Sequence, residues 1–314
     1  MSAPSASPSP PGLPGAAASS APLPALRPRS HARRKALDGF IKGSAWVAAS
    51  IGIAAMLLIV YEVVRRGAGT IDWGFFTELP PVVGEEGGGL GNAMLGTLVI
   101  TAVAAAIALP MGFFAGVWLA EFGRNGRVAT GVRMVANVNM GIPSIVVGVF
   151  VFALLVKPLQ HYSGIAGSIA LAFIMLPVMA RTTEDILNLV PNELRESALA
   201  MGVPRWRVTL GVIVRAARSG LITGAVLATV RVAGETAPLL FTALSSPYWL
   251  NGLFGAEGFV GGPTANLTKI IYDFSGMPYE RMQDLAWGGA LVVIAAVLGL
   301  NIVMRLIFQR GKEW

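Results

Sequence analysis

The sequence predicts an all-α membrane protein of six transmembrane helices with both termini in the cytoplasm. Hydrophobic residues make up 54% of the 314, charged residues only 13%, and the mean hydropathy is +0.65, outside the range of soluble globular domains. The apolar residues fall into runs close to the roughly twenty residues needed to cross about 30 Å of hydrocarbon. Stretches such as Leu291 to Leu300 are continuously apolar, whereas a transmembrane β-strand alternates.

In chain order, residues 1–43 are rich in Pro, Ala and Ser and then basic, a composition expected to stay disordered on the cytoplasmic side. It is a poor signal peptide, because the basic cluster follows a long Pro-rich lead and the apolar run Ala45 to Val64 is too long for an h-region. That run is the first span, and residues 44–90 hold it and an external loop. Residues 91–310 supply the other five spans: Ala93 to Ala120, Met134 to Val156, Ile165 to Ala180 with its flanks, Leu221 to Phe241, and Leu285 to Phe308. Pro110, Pro143, Pro177 and Pro238 sit in or at the ends of spans, where each removes a backbone donor and can bend the helix.

Lys and Arg set the orientation. The tail carries Arg27, Arg29, Arg33, Arg34, Lys35 and Lys42; the second loop Arg124, Arg127 and Arg133; the fourth loop Arg181, Arg195, Arg205, Arg207, Arg215 and Arg218; the end Arg305, Arg310 and Lys312. The opposite side has Arg65, Arg66, Lys157, Lys269 and Arg281, so the richer side is cytoplasmic. The net charge of +7 reports this topology rather than nucleic-acid binding. There is no Cys, hence no disulfide, thiolate metal site or cysteine nucleophile, and His31 and His161 form no HExxH pattern. No metal site is expected.

The cytoplasmic stretch 181–219 is unlike the other loops. Asn192 to Met201 has good helix formers, with Leu194, Ala198 and Met201 on one face and Glu193 and Arg195 outward. Gly202 can end this helix and Pro204 begin the next, giving a compact knob able to dock in a partner's groove. Glu184 and Asp185, adjacent on a helix, point apart and read as solvated or docking charges.

Glu196-Ser197-Ala198, then Leu199-Ala200-Met201 and Gly202, resemble the EAA loop of ABC importer permeases. In that family the loop forms the coupling helix that fits a cleft on the ATP-hydrolysing subunit. Ser197 stands where Ala is commoner, and Val212-Ile213-Val214-Arg215 lacks the Pro the family often has there. The segment Arg231 to Ala243, with Arg181 to Glu184 and Leu194 to Glu196 upstream, is similar to the PstA family of phosphate-importer permeases, from about residue 90 to the end.

The resemblance implies a type I ABC importer permease fold in a bacterial inner membrane. It also implies coupling through Glu196, Ser197, Ala198 and Gly202, and partnership with a PstC-like permease, two PstB-like ATPases and a PstS-like phosphate-binding protein. No phosphate-cradling GxxxxGK[ST] loop occurs in this chain, so it is not expected to be an enzyme, and ATP and Mg belong to the partner subunit.

Arg231 and Glu235 stand four residues apart on the fifth span, a spacing that lets them pair on one helical face. A charge near the bilayer centre is unfavourable by about 2.5 to 3.5 kcal/mol, so the pair should face a cavity or another subunit. Arg231 is the candidate for contact with the anion, since guanidinium suits phosphate oxygens, and Glu235 the candidate for holding it. An ion pair that only fixes packing explains the same spacing. The rival functions are a permease for another oxyanion such as molybdate or phosphonate, a membrane-embedded hydrolase, for which no nucleophile and base pair is evident, and an ion-coupled secondary transporter, which would not need the knob.

Overall fold

A computed structural model describes residues 31–309 apart from 86, 125, 256 and 257. The chain divides into two units, Met1–Leu58 and Ile59–Trp314. Five helices among the described residues are long and apolar enough to cross a membrane, and counting one sharply bent pair as a single span makes six.

Helix α1, His31–Gly67, begins inside the stretch 1–43 read as a disordered tail. The rest of that tail, residues 1–30, lies outside the described residues. From Lys35 on, the early turns of α1 are exposed, with Lys42 paired to Asp38 at 2.7 Å.

Within the second unit, the short helix α2, Trp73–Thr77, is capped by the Asp72 carboxylate, which accepts from the Phe75 N–H. Helix α3, Gly91–Gly123, packs along α6, Gly164–Asn188. Small residues permit this approach: a Cβ placed on Gly112 would lie 2.7 Å from the Met179 Cβ, and one on Gly116 would run into the Ala180 carbonyl and the Thr183 side chain. Ser168 fastens the pair by donating to the Ile100 carbonyl at 3.1 Å.

The third span is not one helix. Helix α4, Arg127–Gly141, and helix α5, Ser144–Leu159, are bent by 102° from a straight continuation across Ile142-Pro143. Pro143 has no N–H to continue the ladder and drives the residue before it out of the helical region; Ile142 has φ −73° and ψ 131°.

The fifth span also departs from expectation. Helix α8, Arg205–Ala233, starts earlier and stops sooner than the predicted Leu221 to Phe241. After Gly234 to Thr236 the short helix α9, Ala237–Thr242, begins and packs on α5, where Gly148 lets the backbone of Pro238 come close. Because α6 runs on to Asn188 and α8 begins at Arg205, the predicted 181–219 loop shrinks to residues 189–204 around helix α7, Asn192–Ala200.

Three stretches widen into π turns: Trp118–Gly123, Phe152–Val156 and Thr209–Ile213. One buried core joins Ile100, Ala104, Leu171, Met175, Ala228 and Val232. A second joins Phe75, Ala93, Ile270 and Leu285 from α2, α3 and two last helices, α10, Leu267–Ser275, and α11, Glu280–Gln309. Asn266, part of a glycosylation-like sequon, is fully buried and spent on capping α10 and on the Leu244 carbonyl.

Candidate functional site

The knob forms where α7 and the first turn of α8 fold back beneath α3 and α6. Gly202 closes α7 with φ +76°, a left-handed conformation natural to glycine, and its N–H reaches the Leu199 carbonyl at 3.0 Å. Pro204 fixes the next entry, and its carbonyl accepts from Arg207 and Val208. Ala198, Val208 and Ile213 turn inward onto Val117, Ala120, Leu187 and Val190.

Of the predicted coupling residues, Ala198 is therefore buried, whereas Glu196, Ser197 and Gly202 are exposed. Leu194 and Met201 do not share the buried face with Ala198, and Met201 is 75% exposed. Together with Leu199 and Trp206, stacked under Arg207 at 5.1 Å, they leave an apolar and basic surface at the tip.

Arg195 corrects the sequence reading most sharply. Expected to point outward, it is 7% exposed and turned into the protein, against Glu121, which is 2% exposed. Its Nε and Nη2 donate to Glu121 Oε1 at 3.0 and 2.9 Å, Nη2 also donates to the Leu187 carbonyl at 2.6 Å, and Nη1 donates to the Val190 carbonyl and, at 3.3 Å, to Asn192 Oδ1. A helical wheel assigns charges to the wet face; it does not see that the carbonyls ending α6 need donors.

Glu184 likewise is buried and not solvated. It accepts from Arg133 Nε at 2.6 Å and from Arg181 at 2.9 Å, while Asp185 stays exposed. Arg133 in turn donates to the Arg124 and Leu119 carbonyls of the turn ending α3. Sequence reasoning passed over Glu121 altogether. Its signal was an acid at the end of a long apolar run with arginines following it. Two cavities of about 350 and 300 Å³ flank this network, the smaller one mainly polar, and Arg124, Asn192 and Arg195 line both.

The predicted pairing of Arg231 with Glu235 is not found. Helix α8 ends at Ala233 with Gly234 as its cap, so the four-residue spacing no longer keeps both on one face. Among the described residues no ion pair joins them. Arg231 is exposed, and the Glu235 carbonyl accepts from Thr268 Oγ1 at 3.1 Å. The neighbouring Val232 belongs to the buried core with Ile100, Leu171 and Met175, inside the ends of α3 and α6, and Arg231 stands beside the break between α8 and α9.

Comparison with known proteins agrees with this architecture. The family model described as binding-protein-dependent transport system inner membrane component matches residues 108–310. A phosphate transport system permease protein PstA of Yersinia pestis is 41% identical over 83% of this chain and 86% of its own length. The PstA of Pasteurella multocida is 39% identical over 89% and 97%, and that of Haemophilus influenzae 39% over 89% and 96%. Among solved structures, an inward-facing MetNI methionine ABC transporter has a similar fold, with a TM-score of 0.54 over 70% of this chain and 93% of that one at 21% identity.

Proposed function

We propose, because the chain belongs to the family of binding-protein-dependent transport system inner membrane components, that it is the permease subunit through which an ATP-driven importer moves inorganic phosphate across a bacterial cytoplasmic membrane. The observation that carries the cargo is the likeness to PstA permeases over most of both chains, which favours phosphate over molybdate or phosphonate.

In this reading both termini and the knob face the cytoplasm. The knob, with Glu196, Ser197 and Leu199 toward the partner, seats in an ATPase subunit of PstB type that carries the ATP and Mg. A PstC-like permease covers the exposed Arg231, and a PstS-like protein delivers phosphate from outside. Residues 1–43 remain a cytoplasmic extension ahead of the permease core.

Arg231 supplies the anion's counter-charge. An exposed guanidinium in a membrane-spanning helix is unfavourable against lipid, and interrupted backbone at membrane depth is tolerated where it is protein-covered or lines a water-filled path. The Gly234 to Thr236 break begins three residues after Arg231, so both features favour a path at this place. Five N–H donors in a planar fork fit phosphate oxygens. Glu235, which forms no ion pair with Arg231 among the described residues, limits how tightly the anion is held.

Labelled-phosphate uptake in a strain lacking this chain tests the assignment. Uptake should be absent and return with the wild-type chain; undiminished uptake without the chain would falsify it.

A further inference from the structure

Glu121 is gripped by both arms of the knob. Arg195 of α7 closes on its carboxylate with two nitrogens, and Arg205, the first residue of α8, donates to its backbone carbonyl at 2.6 Å. The remaining Arg195 contacts, to the Leu187 and Val190 carbonyls and the Asn192 amide oxygen, leave that guanidinium with every nitrogen engaged. Glu121 belongs to α3, in the π turn that ends it. A wide turn disturbs the regular ladder; here the Leu119 carbonyl accepts from Arg133 and the Glu121 carbonyl from Arg205.

The apolar contacts between knob and bundle are made by Val117, Ala120, Val190, Ala198 and Val208. Apolar burial is non-directional, so these contacts hold the knob close without fixing its register. A buried, forked charge pair is directional and fixes register.

We propose that Glu121 is a positioning residue that makes the knob and α3 move as one body, so that displacement of the knob by an ATPase turns the α3 span. The inference rests on the transport reading above. It assigns to Glu121 no contact with phosphate or ATP.

The chain has no cysteine, so label pairs introduce no background of its own. In the assembled transporter, with cysteine-free partners, spin labels at Glu193→Cys on the exposed side of α7 and Leu98→Cys on the exposed face of α3 report their separation by pulsed EPR. An otherwise wild-type chain should keep one narrow distance with and without vanadate-trapped nucleotide. Glu121→Gln should broaden or shift that distance on trapping, and Arg195→Lys, which keeps charge but loses the fork, should do the same.

Phosphate moved per ATP hydrolysed should fall roughly tenfold in Glu121→Gln while basal hydrolysis persists, and Glu121→Asp should recover part of it. A distance that stays narrow in Glu121→Gln, with an unchanged transport ratio, overturns the proposal. If Glu121→Gln does not assemble, Glu121→Cys with Arg195→Cys joined by a short bis-maleimide decides: a joined, assembled chain that remains uncoupled also overturns it. The distance readout needs no cargo, so it stands even if uptake shows that phosphate is the wrong substrate.

Discussion

Arg133 donates through Nε to the Glu184 carboxylate at 2.6 Å, joining α4 to α6 across 51 residues of sequence. Arg181 completes the cluster from one turn away, and the Glu184 side chain is 3% exposed. Glu184→Ala removes the carboxylate that the Arg133 and Arg181 guanidinium groups share. The expected loss is about 2 to 4 kcal/mol, toward the lower part of the range for broken buried pairs because both arginines remain partly exposed. Asp185→Asn, at an exposed site, should change stability by less than about 0.5 kcal/mol. Heating the purified chain in detergent and following the monodisperse fraction compares the two.

At Gly202 the left-handed backbone sets a steric order. A β-branched side chain there is strained by about 1 to 2 kcal/mol, whereas Asn tolerates the conformation better. Gly202→Val should therefore lower uptake at unchanged membrane levels, with Gly202→Asn between it and wild type. Equal uptake by the Val and Asn variants would show that the turn does not limit coupling.

For Arg231→Ala we expect uptake to disappear while the protein still inserts, and for Arg231→Lys partial uptake, since the ammonium keeps charge without the planar fork. Because Glu235 is not paired with Arg231 in this structure, Glu235→Gln should retain more transport than Arg231→Ala. Matching losses in the two variants would argue that they pair in another state of the cycle.

Packing of α3 on α6 can be probed by size. Gly116→Val places methyl groups against the Ala180 carbonyl and Thr183, and overpacking of this kind is unfavourable by about 1 to 3 kcal/mol. A Cβ added to Gly131 on α4 would meet nothing within 4 Å, so Gly131→Ala should be neutral or stabilising by up to about 1 kcal/mol. Thermal inactivation of the two variants side by side measures the difference.

The spans were legible in the sequence because an apolar run of sufficient length has few alternatives to a membrane helix, and the glycine that ends α7 was legible because few other residues close a helix that way. The interruptions were less so. Pro143 and Pro238 announced a disturbance, but whether a proline bends a span gently or divides it depends on what the neighbours offer the freed backbone. The charge network was hidden for a related reason. Arg195 and Glu184 look solvated when each is judged on its own helix, and become buried partners only once α3 brings Glu121, and α4 brings Arg133, against them. Arg231 and Glu235 failed in the opposite direction, since their spacing implies a pair only if the helix continues through Gly234.

The angle at Ile142-Pro143 has a mechanical consequence. A straight rod passes thrust along its axis, whereas one folded through 102° acts as a crank. Force applied to α4 at Arg133 would not run end to end along one helix axis; it would turn α5. Since α5 rests on α9, just past the break beside Arg231, that turn would fall on the part of the protein where, on the proposed reading, an anion has to be released.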